Sequence, residues 1–234
     1  MTYKKALTFS FDDGVLQDER LAKLLHKYGL KSTFNLNFGR LGLKEDLVCN
    51  EVTVDHSCIQ AKDAARIYEG HEVAGHTLTH PRLTELSREE IIRQVEEDRI
   101  ALSKLMGYEV VGFAYPCGRP NHDDRVVEIL KEYTGIKYAR TTLSTGRYEP
   151  CEDLIRLHPT MHYLQNIKKL FERGEEFLNL QSAEPQTFYI WGHAYELDAY
   201  DAWDEFEEFC RMISGRSDIF YGTNKDVLLG AWED

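Results

Sequence analysis

The chain has 234 residues, with 28 Lys and Arg against 40 Asp and Glu, a formal net charge of −12. Hydrophobic residues make up 42% and aromatics 12%, which excludes a disordered chain and provides for a substantial core. The acidic balance argues against nucleic acid and anionic membranes as partners, since both select a basic face, and it leaves a neutral substrate such as a sugar open.

Strand-like apolar runs alternate with segments of helical period. Ala6-Leu7-Thr8-Phe9 reads as a first strand. Leu21, Leu24, Leu25 and Tyr28 recur at i, i+3, i+4, i+7, with Gly29 as a stop. A second strand is predicted at 32–36, and 39–60 reads as a long irregular excursion containing His56. A short helix at 63–68 leads to a strand at 71–74. Ser87 and Glu90 have the spacing of a capping box for a helix to about Leu105. Strands at 110–114, 137–140, 154–157, 187–191 and 219–221 follow, with helices around 126–133, 167–171 and 206–213 between them. With no repeat, low-complexity tract or linker, a single domain over residues 1–234 is expected. Alternation of this kind makes a parallel sheet, and at this length a (β/α) barrel is the leading form, an open doubly wound sheet the alternative. No GxGxxG or GxxxxGK[ST] phosphate loop is present.

The five cysteines are scattered and lack CxxC spacing, as expected of reduced thiols and not of a disulfide framework or a zinc ribbon. The N-terminal apolar stretch is too short for a signal peptide, and no run approaches the ~20 residues of a membrane span. A cytoplasmic location is the expectation.

Residues suited to metal binding and proton transfer cluster after the predicted strands, at the end where barrel active sites form. Asp12-Asp13 follows the first strand. Adjacent carboxylates repel and are costly to bury unless a cation joins them, although Asp-Asp-Gly is also ordinary turn chemistry. After the third strand, His76-Thr77-Leu78-Thr79-His80-Pro81 allows two imidazoles to meet ~5–6 Å apart across one turn. Pro81 turns His80 away from the right-handed helix. Two histidines and one carboxylate form a typical hydrolytic metal set, against which stands the simpler reading of two unrelated loop histidines. His158 and His162 repeat the HxxxH spacing without an Asp-Asp partner, and are read as a peripheral pocket element or a surface loop. His193, after the strand at 187–191, is a candidate general acid, with Glu196 three residues on to orient it. Tyr115 and Trp191 are candidate sugar or methyl contacts, or plain core aromatics.

In this order the residues resemble the polysaccharide deacetylase family, the NodB-like domain of carbohydrate esterase family 4. Ser10-Phe11-Asp12-Asp13-Gly14 is similar to its first motif and His76–Pro81 meets its second in full. Ala114-Tyr115-Pro116-Cys117-Gly118 meets its third in part, and Trp191-Gly192-His193 is similar to its last. The resemblance runs from Thr8 to about Glu196. It implies a distorted (β/α) barrel of about seven strands. It also implies one divalent ion, zinc by expectation, on Asp13, His76 and His80, with Asp12 as base, His193 as acid, and the Cys117 N–H helping to hold the oxyanion.

Two departures matter. Ala114 stands where the third motif has Arg, and the nearest candidate for the fourth motif's Asp is Arg140. A cation beside the base would then come from another strand, with the Arg140 guanidinium pairing with Asp12. The implied reaction is hydrolysis of the acetyl group of an amino sugar or oligosaccharide, with Tyr115, Trp191 and His162 on the substrate. Alternatives are another amide, a cyclic ureide or an O-acetyl ester on the same fold, or a non-catalytic carbohydrate-binding domain with a vestigial site. Homo-oligomerisation is left open.

Overall fold

A computed structural model describes residues 3–164, 166–230 and 232. In chain order it contains β1 (Lys5–Asp12), α1 (Asp18–Lys27), β2 (Ser32–Leu36), β3 (Asp46–Cys49), β4 (Val52–Asp55), α2 (Ala64–Ile67), β5 (Glu72–Gly75), α3 (Arg88–Met106), β6 (Gly112–Ala114), α4 (Asp124–Tyr133) and β7 (Tyr138–Arg140). Then come β8 (Met161–His162), α5 (Ile167–Asn179), β9 (Gln186–His193), α6 (Tyr195–Ala199), α7 (Trp203–Ile213), β10 (Ile219–Tyr221) and α8 (Asn224–Leu228).

The main sheet is parallel in the order β7-β6-β5-β2-β1-β9-β8, with β10 paired to the first half of β1. This seven-strand path curls into a half-barrel, the distorted barrel expected. Its edges are linked by residues 157–163. Leu157 bridges Arg140 on β7, while the Thr160 and Tyr163 N–H groups donate to Tyr189 and Trp191 on β9.

Strand period sorts the side chains. Phe9 and Phe11 of β1, Phe34 of β2, and Phe188 and Ile190 of β9 join the principal core with Phe206 and Phe209 of α7. The alternate residues face inward and are polar or small. Thr8 donates to Asn224, Asn35 to Ser10, and both Thr33 and Tyr138 to Glu72. On β6 and β7, Gly112 is register partner to Tyr138 and Ala114 to Arg140. A Cβ on Gly112 would overlap the Tyr138 ring. Small residues on one strand thus admit large ones from the next.

Three expectations are corrected. Residues 39–60 are not wholly irregular, since β3 and β4 form an antiparallel hairpin. Asn50 and Glu51 both have left-handed φ, 52° and 62°, which is the geometry of a two-residue primed turn. The predicted strand at 154–157 is a 3-10 turn, because the Asp153 carboxylate accepts from the Ile155 N–H and starts a turn there. The capping box is half formed: Ser87 Oγ accepts from Glu90 N, but the Glu90 carboxylate pairs with Arg93.

Candidate active site

β1 delivers Asp12 into the barrel, and the chain then turns at Asp13, whose φ is 80°. An extended strand would send neighbouring side chains to opposite faces; the turn instead brings both carboxylates to one mouth, where each has an oxygen within 4.0 Å of His193 Nε2. Asp13 Oδ1 lies 3.7 Å from His76 Nε2 and 3.6 Å from His80 Nε2. The ligand atoms of Asp13, His76 and His80 all lie within 4.8 Å of one another, a spacing one divalent ion can span. His76 Nδ1 is 2.8 Å from the Ala114 carbonyl, so Nδ1 carries the proton and Nε2 keeps its lone pair for a metal. Donor type and tautomer both fit a divalent cation.

The 76–80 loop is held in strained backbone, with φ of 70° at Thr77 and 62° at His80. For a β-branched threonine such a value is unusual and persists only where the surroundings over-determine it. Here they do. Asn37 Nδ2 donates to the His76 and Thr77 carbonyls at 2.5 and 2.7 Å. Gln94 of α3 accepts from Thr79 N and donates to Thr79 Oγ1. Asp98, also on α3 and fully buried, accepts from His76 N and Phe38 N. Gly75 makes room for this contact, since a Cβ there would sit 3.0 Å from Asp98 Oδ2.

Arg140 crosses the barrel from β7 to Asp12. Its Nη2 lies 2.5 Å from both Asp12 oxygens, its Nε donates to Ser10 Oγ, and its guanidinium carbon sits 4.5 Å from the centre of the Trp191 ring. Asn35 Nδ2 adds a donor to Asp12 Oδ1 at 2.8 Å. Burial opposes ionisation of Asp12, but the Arg140 charge, helped by His193, holds its carboxyl below the usual range. Asp13 is also buried, and its bond to His56 with the charge of His193 drives its pKa down. Burial and the neighbouring His76 push His80 down to about 4.

β9 ends at His193, whose Nε2 stands 3.9 Å from Asp12 Oδ2 and 4.0 Å from Asp13 Oδ2. Glu196 Oε2 accepts from the His193 N–H, and its Oε1 lies 3.4 Å from His193 Nδ1. The second contact is a charge contact and not a formed hydrogen bond. Burial would lower the His193 pKa, yet the Glu196 and Asp13 charges raise it to about 9.

A cleft of about 470 Å³ opens over these groups. Its walls include Trp191 and Cys117, and Tyr115 lines it with its hydroxyl donated to the Ile155 carbonyl. Cys117 has φ of 66°, and its N–H makes no hydrogen bond among the described residues. His162 is not in this lining, contrary to expectation. It packs edge-on behind Trp191, with Nε2 3.2 Å from Glu196. The two-residue strand β8 fixes this placement, which HxxxH spacing does not reveal. Sequence reasoning missed Asn35, Asn37, Glu45 and Asp98, because they are single polar residues far along the chain from what they hold. His56 was visible, but its partner was not.

The polysaccharide deacetylase family profile matches residues 1–139. No curated protein matches the chain significantly. Among solved structures, the chain is similar to a Mycobacterium smegmatis protein assigned as a polysaccharide deacetylase (17% identity, TM-score 0.70, 98% of this chain and 90% of that one). It is also similar to the Streptococcus pyogenes deacetylase PplD in complex with acetate (22%, 0.54, 64% and 61%), so it spans less than two thirds of that protein. A third is BA3943 of Bacillus anthracis, described as a carbohydrate esterase family 4 pseudoenzyme (16%, 0.55, 97% and 66%).

Proposed function

The chain belongs to the polysaccharide deacetylase family, and from that premise we propose that it is a metal-dependent hydrolase removing the N-acetyl group of an amino sugar or oligosaccharide. The observation that carries this reading is the convergence of a three-residue ligand set, an Arg-held carboxylate and a carboxylate-backed histidine on one cleft. Asp13, His76 and His80 hold the ion, with zinc best matched to two imidazoles and a carboxylate. When bound, the ion polarises the acetyl carbonyl and acidifies a water.

The chain's own groups do the rest. Asp12, kept ionised and aimed by Arg140, accepts the proton of the attacking water. The Cys117 N–H donates to the developing oxyanion, a contact of a kind worth ~3 kcal/mol. His193, kept protonated by Glu196, delivers a proton to the departing amine nitrogen, without which the C–N bond would not break. Trp191 offers the bound group an apolar wall.

The test uses the purified zinc-loaded protein against N-acetyl amino sugars, acetyl esters and cyclic amides, read by product release. Release from the N-acetyl sugars supports the proposal, whereas turnover of another class alone reassigns the substrate. Inertness toward all of them with zinc, cobalt or manganese favours the non-catalytic reading. Asp12→Asn should lower turnover by about 10²–10⁴-fold with metal content unchanged. Activity close to wild type in that variant would remove Asp12 as base.

A further inference from the structure

Between β2 and α2 the chain makes a long detour that returns to the barrel mouth at His56. This residue is 8% exposed and lines the cleft. Its Nε2 lies 3.3 Å from Asp13 Oδ2, and its Nδ1 lies 2.8 Å from Glu45 Oε1. The ring is fixed from other sides as well. Tyr195 packs edge-on at 4.8 Å between ring centres, and the His56 N–H donates to the Glu45 carbonyl. Glu45 is itself paired with Arg40, and its N–H donates to Ser57 Oγ.

Asp13 is therefore divided between two tasks. Its Oδ1 faces His76 and His80, while its Oδ2 faces His56. His56 Nε2 does not join the group of ligand atoms that lie mutually within 4.8 Å. It contacts the carboxylate oxygen other than the one that faces His76 and His80.

We infer that the detour is part of the metal centre: His56, backed by Glu45, positions the Asp13 carboxylate for a divalent ion. This rests on the reading that Asp13, His76 and His80 hold that ion. An unbraced carboxylate on a left-handed turn residue would be free to rotate about its last bond and to present either oxygen. Ordering it on metal binding costs side-chain entropy. A ring held on both nitrogens removes that freedom beforehand. Partners of ligands in this role typically contribute 10–100-fold in metal affinity.

The full-length apo protein is titrated with Zn²⁺ against a chromophoric chelator, and with Co²⁺ for its visible spectrum. His56→Ala should weaken Zn²⁺ binding by about 10–100-fold, with a Co²⁺ spectrum that keeps the wild-type coordination number. His56→Gln, which retains a donor toward Asp13, should recover part of the loss. Glu45→Gln, at a half-exposed side chain, should lose affinity in the same direction but less. Val48→Ser, at a residue of the same hairpin that is 70% exposed, should change nothing. Wild-type affinity in His56→Ala overturns the inference. So does a Co²⁺ spectrum showing one nitrogen ligand fewer, which would make His56 a ligand. Should His56→Ala fail to fold, unchanged affinity in Glu45→Gln overturns it equally. A wild-type protein that binds neither ion defeats the metal-site reading itself, an outcome distinct from the loss of the brace alone.

Discussion

A histidine that must give up a proton at neutral pH has first to hold one there. His193 is only 21% exposed, and burial by itself would favour the neutral ring. The Glu196 carboxylate, with Asp13 and Asp12 beyond it, reverses that preference and brings the pKa to about 9. The base has the opposite need: Asp12 is held below the usual carboxylate range and is ionised throughout the working range. The acid form of His193 is therefore present below about pH 9 and lost as pH rises through it. Glu196→Gln removes the largest favourable charge. The high-pH limb of the kcat profile should then move to lower pH, toward the ordinary histidine value of ~6.5. A pH–rate series on an N-acetyl amino sugar checks this, and a limb that stays in place would show that Glu196 does not hold the proton.

Strand pairing explains why the cation beside the base can move from one element to its neighbour. Ala114 and Arg140 are register partners on β6 and β7, so their side chains leave the sheet on the same face, side by side. An arginine from either strand reaches the same interior space, and the alanine leaves room for it. Arg140 then acts as a strut between β7, at the edge of the sheet, and β1, near its middle. Arg140→Ala would strand the Asp12 charge in the barrel, a loss of about 3–5 kcal/mol. Thermal unfolding should show a fall of roughly 2–4 °C per kcal/mol for a chain of this size. Arg140→Lys, which keeps the charge but not the fork, should lie between. The β3–β4 hairpin invites the reverse experiment. Glu51 pays a steric cost at φ 62° in a turn that glycine tolerates freely. Glu51→Gly should gain about 1 kcal/mol and a few degrees in Tm, and a fall in Tm would show that the Glu51 side chain contributes more than its strain.

Across the molecule, what could be read from the sequence divides along the chain. The parallel architecture was legible because both periods are local, and Asp12, Asp13, His76 and His80 because each sits in a short motif at a strand end. Arg140 was legible through a gap, the alanine at 114. The supporting groups were not, since Asp98, Asn37 and His56 reach the site only once the sheet has curled and the detour has folded back. The strand read into Leu154–Leu157 failed because one aspartate, Asp153, initiates a turn that the apolar pattern does not record. These distances along the chain also bear on stability. An ion on Asp13, His76 and His80 would tie the end of β1 to the loop after β5, and the unfolded chain offers no such set. Binding should therefore add to stability by about 2.7 kcal/mol when free metal is 100 times its Kd, or on the order of 5–10 °C in Tm. The core clusters of phenylalanine, leucine and isoleucine need no ion, so the apo protein should still unfold cooperatively, only earlier. Scanning calorimetry with added Zn²⁺ and after exhaustive chelation measures the difference, and Asp13→Ala should abolish it while leaving the apo transition in place. An equal Zn²⁺ shift in Asp13→Ala would mean that the stabilising ion sits elsewhere on the molecule.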